Sequence, residues 1–545
     1  MDFDVVVVGS GFGGSVMSCR LVEKGMKVCL LERGKEYGMY DFPRRIHDVK
    51  KSIFWDPKDG KYGHMEFRDY PDHDIMSVTG SGLGGGSLIY ANVLLPMPED
   101  FFKGWPYGIT RADLDPYYQQ VLSMMEASPY PYKKDPYYTD TPKTRTMEEA
   151  SAGVIDNPAA DVKFVLPDLA VWFKGDFPGE QMKNKHGAIQ SKCNKCGECD
   201  VGCNIKAKNT LDLNYIFKAR HDEKNPLEVR CSAELVDLER LAEGFEVTYQ
   251  NPETKEKTVV RAKKVILSCG SIGSSKVMIN LKKKGRIPNV SPTLGRNWCG
   301  NGDLLGFARK TKKVAEPTNG PTITTGIQYQ YKEGYKDGFP HGMIIEDAGL
   351  PLGLSWYLAA KTPSAHSLIE AMGLGLSFVK SWFTRVLGFK SAHAEYNIGD
   401  EIADCLENNE GLRHTVGLLG MGRDRSSGVI DTDEEGEPVV QWEIEESQLH
   451  FDRVTEEMKK ISKAAGGDFM GNPLTKLNKI AAVHPLGGCI MAETAEQGVV
   501  DRNGEVFGEQ GLYVIDGSIL PSSVGPNPSL TIAAMAESLA ERFEL

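Results

Sequence analysis

No apolar run in this chain is long enough to cross a membrane as a helix. Basic charge is in deficit: 63 Lys and Arg stand against 75 Asp and Glu in 545 residues, a formal net charge of −12. That balance, with no basic patch and no zinc-finger spacing, argues against a general nucleic-acid binder. The first strand begins at residue 4 or 5, so no secretory signal is expected ahead of it. Several of the 11 cysteines fall in apolar runs (Cys29, Cys269), where free thiols of a reducing compartment usually sit. The expectation is a cytoplasmic protein. At this length two or three joined domains are expected rather than one core.

What is present begins with a strand, a turn and a helix. Val5 to Val8 run into Gly9-Ser10-Gly11-Phe12-Gly13-Gly14, a helical stretch follows, and a second apolar run, Val28 to Leu31, ends on Glu32. A buried parallel strand that stops at such a turn presents a helix N-terminus. Gly9, Gly11 and Gly14 hold the three places of a dinucleotide fingerprint: tight turn, close approach of a pyrophosphate, close helix–sheet packing. Glu32 is placed to accept from a ribose hydroxyl.

A second glycine cluster runs from Gly80 through Gly82, Gly84, Gly85 and Gly86 to Ser87, ahead of Leu88 to Val93. Its density suits backbone lying against a flat ligand. Val265 to Cys269 and then Gly270 repeat the strand-then-glycine pattern, and short strands over Leu227 to Val236 and Gly244 to Tyr249 are expected near the nucleotide. Near the C-terminus, Leu512 to Ile515 form a strand ending in Asp516-Gly517. Pro526-Asn527-Pro528-Ser529 then opens a helix to about Arg542, whose free N–H groups can face an anionic ring edge.

These pieces divide the chain into residues 1–110, 191–310 and 480–545 for the nucleotide, an irregular excursion over 111–190 on the substrate side, and a substrate domain over 311–479. Within the last, 368–389 is unusually apolar and supports three readings: a core helix, a lid over an apolar pocket, or an interfacial helix making peripheral membrane contact.

Cys193, Cys196, Cys199 and Cys203 have the spacing C-x2-C-x2-C-x3-C, a signature for a [4Fe–4S] cluster. Asn204 stands where ferredoxins continue with proline, and no second ligand set is visible. Free or disulfide-paired cysteines, an iron–sulfur cluster and a zinc site remain as readings.

Gly9 to Gly14, Gly82 to Ser87, Gly320 to Gly326, His484-Pro-Leu-Gly-Gly-Cys489, and Val514 to Ser518 with Val524 to Pro528 together resemble the glucose–methanol–choline (GMC) oxidoreductases, cholesterol oxidase-like branch. The resemblance implies an α/β fold: a Rossmann-like domain binding FAD, joined to an α+β substrate domain on an antiparallel sheet. It implies hydride transfer from a hydrophobic alcohol, a sterol or 3-hydroxysteroid foremost, with oxygen or an external electron acceptor. An alternative is a dehydrogenase for long-chain or other alcohols with a non-oxygen acceptor. Another is an electron-transfer subunit built on the cysteines.

By position, His484 and Asn527 resemble the residues that face the substrate hydroxyl, and Glu346 the carboxylate base that moves a double bond. The cofactor set is Gly9, Gly11, Phe12, Gly13, Gly14, Glu32, Arg33, Gly80, Gly84, Gly85, Gly86, Ser87, Asn92, Leu235, Val236, Gly270, Asp516, Gly517, Asn527 and Pro528. No histidine lies within Gly80–Asn92, so non-covalent FAD is expected.

Overall fold

The computed structural model describes residues 1–43, 52–332, 342–349, 413–472 and 479–545; the apolar 368–389 segment lies outside them. Five parallel strands form the first sheet in the order Glu228–Arg230, Val28–Leu31, Phe3–Val8, Lys257–Leu267, Leu512–Val514. Val5, Val6 and Val7 are fully buried, as strands covered on both faces require. The long strand Lys257–Leu267 serves two neighbourhoods. Its exposed first half pairs antiparallel with Phe245–Gln250, which in turn pairs with Glu234–Arg240. Its buried second half lies between Phe3–Val8 and Leu512–Val514.

Register decides where a ligand can sit. Val8 pairs with both Leu31 and Leu267, and Leu267 with Val514, so these strands end at one level. The next residues (Gly9, Glu32, Ser268 and Ile515-Asp516) therefore share the carboxyl edge, where open α/β sheets bind ligands. Helix Phe12–Glu23 packs against helix Ser529–Arg542, with Arg20 donating to Glu537 at 2.7 Å.

The second sheet is antiparallel, in the order Asp468–Gly471, Leu304–Arg309, Thr415–Gly422, Gly342–Ala348, Gly326–Tyr331, Ala160–Val165. Helix Gln448–Ala464 covers it with a stripe of Phe451, Val454, Met458 and Ile461. The stretch 111–190, irregular by its sequence texture, is not irregular throughout. It contains helices Arg111–Met124 and Pro142–Ser151, and its strand Ala160–Val165 forms the sheet edge. The alternation Ala-Asp-Val-Lys-Phe-Val is a period-two signal that the surrounding prolines mask. The second sheet also starts at Leu304, ahead of the boundary that composition suggests at 311.

A small third sheet joins the two regions. Ile480–Ala482 runs parallel to Ile75–Gly80, which pairs with Met65–Asp69. It delivers the second glycine cluster and His484 to the same place from opposite ends of the chain.

Candidate active site

A cavity of about 950 Å³ opens along the carboxyl edge of the first sheet and reaches the second. One part is lined by Gly9, Gly11, Phe12, Gly13, Glu32, Arg33, Gly80, Gly85, Gly86, Leu235, Val236, Gly270, Asp516 and Gly517. The same cavity is bounded by Asp303, Leu305, Leu419, His484, Pro485 and Asn527.

The glycines are there because backbone occupies the space of a side chain. A Cβ on Gly14 would stand 1.9 Å from the Gly9 carbonyl, and one on Gly13 1.9 Å from that of Ile515. One on Gly85 would stand 2.7 Å from Gly11 Cα, so the two glycine segments touch. Helix Phe12–Glu23 starts at Gly11 without a side-chain cap, leaving its first N–H groups for an anion. These features fit the pyrophosphate and adenosine part of FAD.

Glu32 is buried, and its carboxylate already accepts from Ser10 N, Ser10 Oγ, Gly34 N and Gly82 N. It thus ties both glycine segments together at the place where a ribose is expected. Asp516 accepts from Gly270 N, Ser274 Oγ and the Ser518 amide and hydroxyl, fixing a helix start and a turn at the cavity wall. Gly14, Gly84, Ser87 and Pro528 are not among the residues that line the cavity. Asn92 is not among the residues that line the cavity; it is fully buried, and its amide has no hydrogen-bond partner among the described residues.

At the other part, His484 Nδ1 lies 2.7 Å from Asp303 Oδ1, while Asp303 Oδ2 accepts from Val483 N and His484 N. A carboxylate only accepts, so Nδ1 carries the proton and Nε2 is left with its lone pair. An isolated bridge makes this possible: Cys299 and Leu486 exchange backbone hydrogen bonds of 3.1 and 3.0 Å. Asn301 Oδ1 accepts from Val524 N and Gly525 N, and its amide donates to Pro526 O. That sets the loop carrying Asn527 to the helix Ser529–Arg542.

Asn527 Nδ2 donates to Glu346 Oε2 at 3.3 Å, both side chains being buried. Asn527 Oδ1 and Glu346 Oε1 have no partner among the described residues, which leaves two polar atoms for a ligand at this wall. Burial pushes the Glu346 carboxyl well above the ordinary carboxylate range; the Asn527 hydrogen bond opposes this, and the charges of Asp347 and Asp303 add to it. Asp303 and Asn301 belong to none of the sequence motifs. Their one sequence signal is the polar, glycine-containing turn Gly300-Asn-Gly-Asp303 ahead of an apolar strand.

Behind the loop, Asp424 accepts from Gly300 N at 2.9 Å and from Ser523 Oγ. Burial pushes its carboxyl up to about 6, against those hydrogen bonds. The folded state therefore holds this proton where the unfolded chain, near 3.8, has lost it. The stabilisation from this group is full below the unfolded value and declines as pH rises toward 6, by about 3 kcal/mol. Asp424→Asn is expected to flatten the fall in stability between pH 4 and about 6, as read by urea unfolding across that window. An unchanged slope would remove Asp424 as its source.

Profiles of the GMC oxidoreductase family match residues 179–299 and 433–536, and a profile of NAD(P)-binding Rossmann-like domains matches residues 7–68. The chain is 28% identical to a cholesterol oxidase of Acinetobacter baumannii, covering 98% of this chain and 93% of that one. It is 29% identical to a cholesterol oxidase of Mycobacterium tuberculosis, covering 99% and 90%. The crystal structure of pyridoxine 4-oxidase from Mesorbium loti superposes over 99% of both chains with a TM-score of 0.59 at 15% identity, which speaks for the fold. Two matched segments in order, relatives along nearly the whole length and a dinucleotide cavity at a Rossmann edge lead to one assignment: the chain carries the N- and C-terminal domains of the GMC oxidoreductases and is similar along its length to cholesterol oxidases.

Proposed function

We propose that the chain oxidises a hydrophobic alcohol, with a sterol or 3-hydroxysteroid as leading substrate, using non-covalently held FAD. The observation that carries this is the Asp303-oriented His484 sharing one cavity with Asn527 and the glycine cradle. FAD, when bound, supplies the acceptor for the hydrogen leaving the carbinol carbon.

The side chains divide the remaining work. His484 Nε2 takes the hydroxyl proton, and Asp303 stabilises the imidazolium that results. Asn527 holds the substrate oxygen through an amide that does not titrate. The free N–H groups of helix Ser529–Arg542 place partial positive charge where a reduced ring edge gathers negative charge. Phe67, Tyr70, Ile89, Leu305 and Leu419 line the same cavity, and such a wall favours an apolar alcohol over a sugar. The base role of Glu346 in moving a double bond requires its ionised form. A raised pKa makes that form scarcer near neutrality but a stronger base toward a carbon acid.

Both protein relatives named above are cholesterol oxidases, which favours oxygen as acceptor and sterols as substrates. The test is an anaerobic absorption spectrum of FAD-replete protein before and after addition of a sterol, a long-chain primary alcohol and a short polar alcohol. The sterol is expected to bleach the flavin band, and admitting oxygen to restore it. A preparation that cannot be loaded with FAD would end the proposal. Bleaching by the short alcohol alone would reject the hydrophobic substrate class.

A further inference from the structure

Four thiols take no part in the chemistry above. Cys193, Cys196, Cys199 and Cys203 are buried or half-buried, and all four are free, with no disulfide among them. Every one of the six pairings among them is near enough for the sulfurs to affect each other's charge. Yet no three of these sulfurs lie within 4.8 Å of one another. Four thiolates on a single zinc would, because a Zn–S bond of about 2.3 Å sets tetrahedral sulfurs about 3.8 Å apart. Sulfurs that converge but stay wide fit a body larger than one ion.

Lys208 N donates to Cys203 Sγ at 3.4 Å. Hydrogen bonds to sulfur of this kind tune iron–sulfur centres. The buried Lys208 ammonium donates to Leu88 O at 2.7 Å and to Cys199 O, placing positive charge beside the sulfurs. Glu198 and Asp200 are buried in the same loop and oppose it in sign.

We infer that Cys193, Cys196, Cys199 and Cys203 hold a [4Fe–4S] cluster one side chain away from the cofactor cavity. Asp200 and Val201, between the third and fourth thiolates, line that cavity, and Tyr90 lies in its wall next to Cys199. The role of the cluster rests on the FAD reading. Oxidation of an alcohol to a carbonyl releases two electrons and two protons. A cluster held there would offer those electrons a one-electron exit to an external quinone, which takes up the two protons as it is reduced, alongside the oxygen route proposed above.

The test uses the full chain purified without oxygen, with iron, acid-labile sulfide, zinc and FAD measured in one sample and EPR recorded after dithionite. About four irons and four sulfides per chain are expected. Cys196→Ser and Cys199→Ser are each expected to lose most of the iron and the EPR signal while retaining FAD; Cys231→Ser should retain all three. Zinc near one per chain overturns the inference, as do titrated disulfides, or FAD-loaded protein that takes up no iron and sulfide on anaerobic reconstitution. If the serine variants fail to fold, the metal and sulfide analysis of the unaltered chain decides. Iron and sulfide without any flavin would instead reject the FAD reading and leave the cluster standing.

Discussion

His484→Ala is expected to lower turnover on the order of a hundredfold or more while FAD stays bound. Hydride cannot leave the carbinol carbon as a productive step unless the hydroxyl proton also departs, and the imidazole Nε2 is the group oriented to take it. Asn527→Ala should cost a comparable factor through lost positioning, also without loss of FAD. Asp303→Asn tests the orientation itself. An amide facing Nδ1 can donate where the carboxylate only accepts, which favours the tautomer that carries its proton on Nε2 and blocks the base. The loss should therefore fall on kcat, with KM changed less. Its pH profile should lose the limb that reports a base, an effect a merely structural role would not produce. Steady-state kinetics with flavin content measured on the same samples checks all three. Full turnover in both His484→Ala and Asn527→Ala would sink the site assignment.

The parts of this site legible in the sequence are those whose signals are local. Four valines before a glycine turn determine their own strand, and Pro526 to Ser529 announce the helix that runs to Arg542. The convergence of Gly9–Gly14 with Gly80–Gly86 follows from chemistry: only residues without Cβ allow the contact that Gly85 makes with Gly11. Asp303 was not legible because its partner lies 181 residues away, and the bridge between Cys299 and Leu486 that joins them has no strand pattern. The strand Ala160–Val165 was hidden by composition, since prolines and lysines around it read as loop although its alternation is regular.

Lys143→Met is expected to destabilise the protein by about 3–5 kcal/mol. Lys143 and Asp347 form an ion pair in which both side chains are fully buried, at the end of the strand that carries Glu346. Asp347 also accepts from the Thr324 and Thr325 backbone N–H groups at 2.8 and 2.6 Å. Removing the ammonium leaves that carboxylate in the interior with two amides and two hydroxyls to hold its charge, which is less than it loses. Adding Asp347→Asn to Lys143→Met should recover most of the loss, because a neutral amide oxygen can still serve the threonine N–H groups. Urea unfolding of the single and double variants measures both effects, and a loss below about 1 kcal/mol in the single variant would show that the pair is not held as described. The change also reaches the site. Asp347 is one of the charges that raise the Glu346 pKa, so an unneutralised Asp347 should push it further in the same direction. Any step that needs ionised Glu346 should then move its pH dependence to the alkaline side in Lys143→Met and return toward the original profile in the double variant. The buried pair thus sets both the stability of the second sheet and the working pH of the carboxyl beside Asn527.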